Sequence, residues 1–138
     1  MPVSVEYDPS SRVMTYRVSE DPGLDEMREA VNERMANPDY AKGIHVVWDL
    51  RAADFSSLES GRLRQVSAEA ARRLETGPSD ARIAVIASGD LEYGMARVYE
   101  VYAGGDPSRI RVFRTEEGVE SWLIHGQDPD PGPLGGRT

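Results

Sequence analysis

The spacing of apolar residues changes several times along this chain, and each change predicts a new element of secondary structure. Residues 3–7 and 12–19 alternate apolar and polar side chains on either side of the turn sequence DPSS, a pattern typical of a β-hairpin. A helical spacing of apolar residues follows and ends at Asn37-Pro38. The apolar positions of this first predicted helix are Leu24, Met27, Val31 and Met35.

Strands and helices then alternate through the rest of the chain. The nearly continuous apolar run IHVVWDL at residues 44–50 predicts a buried central strand, and residues 81–87 and 110–113 predict two further strands. Between and after these strands, apolar residues recur at helical spacing. The inward positions are expected to be Leu63, Val66, Ala70 and Leu74 in the second helix, Leu91, Met95, Val98, Tyr99 and Tyr102 in the third, and Val119, Trp122 and Leu123 in the last.

The element order is therefore β-β-α-β-α-β-α-β-α, which predicts an α/β fold with a mixed, mostly parallel sheet of about five strands and about four helices. The first strand is expected to lie antiparallel at one edge of the sheet. We expect a single domain over residues 1–125, because a chain of 138 residues is long enough to bury a core. Residues 126–138 are rich in proline and glycine, and this composition predicts a disordered tail.

Composition narrows the classes of function. The chain has no cysteine, which excludes disulfides and cysteine-ligated zinc, and its two isolated histidines do not make a metal site. We expect no cofactor. The net charge of −8 argues against nucleic-acid binding, which depends on lysine and arginine neutralising phosphates. No apolar run approaches the roughly 20 residues that span a bilayer. The N-terminal sequence MPVSVEYDPS does not resemble a signal peptide, so we expect a cytoplasmic protein.

Three segments carry a resemblance to a known family. They are VVWDLRAADFSSL, RIAVIASGDLEYGMARVYEVY and RVFRTEEGVESWL, and with the opening hairpin they cover nearly all of residues 3–124. In element order, length and helix placement the chain resembles the STAS domains of bacterial anti-sigma-factor antagonists, and within them the SpoIIAA-like group. None of these segments is a catalytic motif, so the resemblance implies a fold more than an activity.

The resemblance also raises a phosphorylation switch at the start of the second predicted helix. Antagonist STAS domains carry a D-S-[S/T]-G segment there, and a kinase phosphorylates its serine. The corresponding segment here is DFSSL at residues 54–58, in which a phenylalanine separates the aspartate from the serines and a leucine replaces the glycine. Ser56 and Ser57 are candidate phosphosites, because a helix N-terminus favours phosphate. The simpler alternative is that one of them caps the helix.

Polar residues at the carboxyl ends of the predicted strands form the candidate binding site, because ligands of open α/β sheets bind beyond those ends. The residues expected to bind a ligand or partner are Asp49, Arg51, Ser57, Tyr93 and Arg97. The same predicted rim includes Asp54, Ser88, Asp90 and Arg114. Asp49 is expected to pair with Arg51 or Arg97 as a structural ion pair. The alternative is acid–base chemistry shared between Asp49 and Asp54.

Two other features have simple structural alternatives. Ser88-Gly89-Asp90 is a candidate anion cradle at the third helix, although Asp90 as a helix cap explains the segment better. Aromatic and methionine side chains of the third helix, with Trp48 and Trp122, are candidates for lining an apolar pocket. Such a stripe at helical spacing is more often core.

Three functions stay open at this point. The first is a non-enzymatic, STAS-like binding or regulatory domain for a partner protein or a small apolar or anionic ligand. Self-association through the open edge of the sheet, giving a homodimer, is part of this hypothesis. The second is phosphorylation-dependent partner switching through Ser56 or Ser57. The third is a small enzyme with an acidic and arginine site at the strand ends, which requires convergent polar groups in a cleft that excludes water.

Overall fold

The computed structural model describes residues 3–20, 24–54, 65, 81–102 and 109–126. The strands are β1 (Val3–Asp8), β2 (Val13–Glu20), β3 (His45–Ala53), β4 (Ile83–Ile86) and β5 (Ile110–Phe113). The helices are α1 (Leu24–Met35), α2 (Asp90–Tyr102) and α3 (Val119–His125), with a short 3₁₀ helix at Tyr40–Lys42. The second predicted helix lies outside the described residues, apart from Gln65, which is helical, and so does the predicted tail after Gly126. No described helix has the length and apolar character needed to cross a membrane.

The five strands form one sheet in the order β1-β2-β3-β4-β5. β1 runs antiparallel to β2, and every other neighbouring pair is parallel. The predicted mixed sheet with an antiparallel edge strand is therefore confirmed. One residue from each strand lies side by side with its neighbours in a row across the sheet. The row consists of Ser4, Arg17, Asp49, Ile86 and Phe113.

Helices α1 and α2 pack on the same face of the sheet, which we call the first face. Right-handed connections between neighbouring parallel strands place their helices on one side, so this arrangement follows from the strand order. Tyr16 lies at the centre of this core with no exposed surface and stacks on Trp48, with 4.2 Å between the ring centroids. Its hydroxyl donates to the Ala30 carbonyl of α1 at 3.2 Å, which satisfies the buried polar group.

On the opposite face of the sheet, the second face, helix α3 covers only part of the strands. Helix α3 packs here with all three predicted inward residues, Val119, Trp122 and Leu123, buried against side chains from β3, β4 and β5. Among the described elements, α3 is the only helix on this face. Val13 at the start of β2 packs against this cluster, and the described chain leaves open the part of the second face that belongs to β1, the rest of β2 and the carboxyl half of β3.

The inward faces of α1 and α2 differ from the prediction. Met35 and Leu91 were expected inside but are 37% and 46% exposed, whereas Arg34 and Glu92 are each only 8% exposed. The reason is that the small residues Ala30 and Ala96 face the sheet and set the rotation of each helix. Met35 and Leu91, which neighbour Arg34 and Glu92 in the sequence, are therefore turned toward solvent.

Candidate functional site

Polar side chains line the open part of the second face. Residues of β1 and β2 alternate between the two faces, so the polar members of the hairpin point away from the core. They border a groove of about 370 Å³. Its lining residues are Ser4, Arg17, Val18, Ser19, Asp49, Arg51 and Ala52. The β2–β3 register shifts between Arg17 and Ser19, and this irregularity redirects side chains at the groove.

Asp49 and Arg51 form an ion pair in the groove with three hydrogen bonds between them. Arg51 Nε donates to Asp49 Oδ1 at 2.9 Å, and Arg51 Nη2 donates to Oδ2 at 2.8 Å. The Arg51 backbone N–H adds a third bond to Oδ1 at 3.1 Å. The pKa of Asp49 is lowered, first by the side-chain hydrogen bonds from Arg51 and further by its backbone N–H and by the charges of Arg51 and Arg17. The carboxylate therefore stays ionised and both of its oxygens are occupied.

Arg17 is a second cation at the same groove. It lies beside Asp49 in the β2–β3 register, and its Nη1 bonds Glu6 Oε1 at 2.6 Å. Both side chains of this pair are largely exposed, at 56% and 71%. The hydrogen bond to Glu6 raises the pKa of Arg17. Arg17 is not among the predicted site residues, because it lies inside β2 and the strand-end rule covers only residues at or beyond the strand ends. The alternation of residues 12–19 indicates only that Arg17 points away from the core, and the observed register places it opposite Ser4.

A separate polar cluster lies where β4 and β5 end. The Arg114 guanidinium stacks 3.9 Å from the centroid of the Tyr93 ring. Its Nη1 donates to Asp90 Oδ1 at 3.0 Å and to the Ser88 carbonyl at 3.2 Å. Four residues of the predicted rim therefore do meet, but they meet at the start of α2. The Asp90 side chain is 97% exposed and pairs with this guanidinium.

The structure does not bring Asp49 and Arg97 together. Arg97 lies on α2, on the first-face side of the sheet, and pairs with Glu100 at 3.2 Å. Asp49 shares its row with Ile86 and Phe113, which pack under α3 on the second face. Of its two predicted partners, Asp49 takes Arg51. The predicted rim is thus two groups on opposite sides of the sheet, and the acid–base pairing of Asp49 with Asp54 stays a prediction.

The remaining predicted sites are placed as follows. Ser56 and Ser57 lie outside the described residues, so the phosphosite stays a prediction. Trp48 packs in the first-face core and Trp122 in the second-face core, so the two do not line one pocket. His45 accepts a hydrogen bond from the Arg82 backbone N–H at 3.1 Å through its Nδ1, an ordinary structural role.

Comparison with known proteins supports the fold. No protein-family model and no curated protein matches the chain. Among solved structures, the chain is similar to an uncharacterised protein of the DUF3478 family from Shewanella loihica PV-4, described as having a SpoIIAA-like fold. The identity is 16%, the match covers 88% of this chain and 91% of the other, and the TM-score is 0.51. Sheet order, helix placement and this match together show that the chain has an α/β, SpoIIAA-like fold.

Proposed function

We propose that this chain is a non-catalytic binding domain that contacts a partner protein or a small anionic ligand through the groove at Arg17, Asp49 and Arg51. The observation that carries the proposal is the position of the groove, on the part of the second face that the described chain leaves open. Guanidinium groups are suited to carboxylate and phosphate because their N–H donors match the geometry of these anions. An anionic ligand therefore fits the groove better than an apolar one.

The two arginines have different parts in this proposal. The Arg17–Glu6 pair is exposed on both sides, and exposed ion pairs contribute only about 0–1 kcal/mol, so an incoming anion replaces Glu6 at little cost. Arg51 is fixed by Asp49, and its Nη1, 3.7 Å from Glu116, faces away from that carboxylate toward the solvent-exposed side chain of Glu116. Arg17 is thus the exchangeable cation, and Arg51 is the pre-positioned one.

The groove chemistry supports binding over proton transfer. A general acid or base is most effective when its pKa lies near the working pH. The pKa of Asp49 is lowered instead, and three donors already occupy its oxygens. In this proposal Asp49 positions Arg51 and exchanges no proton.

Amide chemical-shift titration of isotope-labelled protein, with inorganic phosphate and with glutamate as probes, tests the proposal. Shifts are expected at Arg17, Ser19 and Arg51. Arg17→Gln should weaken the probe's affinity several-fold, and Glu6→Gln should strengthen it by freeing Arg17. Arg97→Gln is the matched control, because Arg97 is 58% exposed against 56% for Arg17 and lies on the other side of the sheet. Absence of shifts at the groove, or equal weakening by Arg97→Gln, would overturn the proposal.

Native mass spectrometry of the protein purified from its own host gives an independent test. A co-purified small anion or partner that Arg17→Gln removes and Arg97→Gln retains supports the groove. The same spectrum reports any phosphate on Ser56 or Ser57. A bound species that both variants retain contradicts the assignment of the groove as the contact surface.

A further inference from the structure

Charges of alternating sign follow one another through the groove. Arg17 Nη1 bonds Glu6 Oε1 at 2.6 Å, and Arg17 lies beside Asp49 in the β2–β3 register. Arg51 bonds Asp49, and its Nη1 lies 3.7 Å from Glu116 Oε1. We call Glu6, Arg17, Asp49, Arg51 and Glu116 the charged row. Its two guanidinium groups and three carboxylates give the row a net charge of −1.

Arg17 already binds a carboxylate, because Glu6 reaches it from the neighbouring strand β1. The Glu6 side chain is 71% exposed, so it returns to water when another anion takes its place on Arg17. A carboxylate from outside the chain can make the same contact as Glu6 and leaves the number of charges beside Arg17 unchanged. Glu6 is therefore an internal stand-in for a ligand of its own chemical class.

We propose that the anion bound by the groove is a carboxylate and that Glu6 occupies its place on Arg17 in the free protein. This inference rests on the proposed function and narrows the anion from a phosphate or a carboxylate to a carboxylate. The carboxylate displaces Glu6 and binds Arg17, while Arg51 stays on Asp49. The hydroxyls of Ser4 and Ser19, which line the same groove, are donors for its second oxygen.

The charge of the row favours a carboxylate over a phosphate. When Glu6 is displaced, the two guanidinium groups are balanced by the carboxylates of Asp49 and Glu116. A phosphate monoester carries about −1.5 to −2 charges at pH 7 against one for a carboxylate. A balanced site gives the second charge little extra attraction, whereas the cost of removing an ion from water rises with its charge. The serine hydroxyls donate to either anion, so they do not decide between the two.

Three peptides that differ only at a central glutamate, phosphoserine or glutamine test this preference. Amide chemical shifts of labelled protein are followed at neutral pH and constant ionic strength. The glutamate peptide is expected to shift Arg17 and Ser19 and to bind several-fold more tightly than the phosphoserine peptide, and the glutamine peptide should not bind. If the phosphoserine peptide binds the groove at least as tightly, the carboxylate assignment is wrong but the groove remains an anion site. If no peptide shifts the groove, the proposed function fails as well.

Propionate, which has the same carboxylate and methylene groups as a glutamate side chain, distinguishes a free ligand from a partner protein. Equal affinities of propionate and the glutamate peptide would support a small free carboxylate as the ligand. Much tighter binding of the peptide would support an acidic side chain on a partner. Inorganic phosphate that shifts the groove where propionate and the glutamate peptide do not would overturn the carboxylate assignment.

Glu116→Gln tests the electrostatic reason for the preference. The substitution removes one carboxylate from the charged row, so the affinity for the phosphoserine peptide should rise several-fold and more than the affinity for the glutamate peptide. Asp25→Asn is the matched control, because it makes the same change of charge at a side chain that is 96% exposed on α1, on the other side of the sheet. If the ratio of the two affinities is unchanged in Glu116→Gln, or changes equally in Asp25→Asn, the charge of the row does not select the ligand.

Discussion

Arg51 binds both carboxylate oxygens of Asp49 from a position two residues further along the same strand, with N–O distances of 2.9 and 2.8 Å. The Asp49 side chain is only 12% exposed, although it lies on the open part of the second face. Arg17 of β2 lies beside it in register and bonds the exposed Glu6. The groove therefore combines one ion pair with three hydrogen bonds and one ion pair that is exposed on both sides.

Asp49→Asn should destabilise the fold measurably. The substitution preserves the shape of the side chain but leaves the Arg51 guanidinium without its carboxylate. We expect the free energy of unfolding to fall by about 1–2 kcal/mol, between the values for an exposed ion pair and for a hydrogen bond to a charged group. Urea denaturation at neutral pH measures this change. Glu6→Gln is the control and should cost less than about 0.5 kcal/mol, because its pair with Arg17 is exposed. Equal losses in both variants would contradict the distinction between the two pairs.

The stabilisation from Asp49 should also depend on pH in one direction. Its pKa in the folded protein is lowered by the hydrogen bonds from Arg51. A lowered folded pKa gives a contribution that is fully present above the unfolded value of about 3.9 and is lost as the pH falls through the folded value. The difference in unfolding free energy between the wild type and Asp49→Asn should thus be constant near neutral pH and shrink below about pH 4. A difference that persists unchanged into strong acid would exclude the ion pair as its cause.

Much of the fold was predictable because period-two and helical patterns depend on burial alone. Val119, Trp122 and Leu123 are buried as their spacing predicted, and the sheet has the predicted mixture of strand directions. The inward face of helix α2 was harder to predict, because Leu91 and Val98 lie on the side of the helix opposite Ala96, which packs on the sheet. Apolar spacing does not distinguish a stripe that packs inside the chain from one left outside.

The candidate site was only partly predictable, for a reason of geometry. The strand-end rule gives the edge of the sheet at which polar residues gather, and it led to Asp49, Arg51, Tyr93 and Arg97 as one group. The rule does not give the face toward which each side chain points. Asp49 follows Val47 by two residues and so shares the face of α3, whereas Arg97 lies on a helix of the opposite face. The β2–β3 irregularity next to Arg17 has no signal in the sequence.

Two tyrosines should resist ionisation at alkaline pH. The pKa values of Tyr7 and Tyr16 are each raised to about 12, chiefly by burial, and for Tyr7 also by its hydrogen bond to Asp39 Oδ2 at 2.7 Å. A raised tyrosine pKa favours the neutral form in the folded state. Its contribution to stability is therefore complete below the unfolded value of about 10 and is lost as the pH rises through the folded value.

The absorbance of tyrosinate, followed from neutral to strongly alkaline pH, measures this effect. Tyr7→Phe and Tyr16→Phe should each remove one late-titrating group and leave the earlier part of the curve unchanged. If either variant loses absorbance from the part near pH 10 instead, the burial or the hydrogen bond assigned to that tyrosine is wrong.

Arg34→Met should leave the stability of the fold unchanged or raise it. Arg34 is 8% exposed in the last turn of α1, its guanidinium carbon is 5.9 Å from the centroid of the Tyr16 ring, and its Nη1 is buried without a hydrogen-bond partner. Methionine keeps most of the buried stem and removes the unsatisfied donor, whose burial costs about 1–3 kcal/mol. The substitution also removes a cation at a helix C-terminus, which costs about 0.3–1 kcal/mol.

Thermal and urea unfolding measure the net change in stability of Arg34→Met. Arg34→Ala is the matched comparison and should destabilise, because it removes the stem as well. A loss in Arg34→Met as large as in Arg34→Ala would show that the guanidinium itself stabilises the fold through its contact with Tyr16.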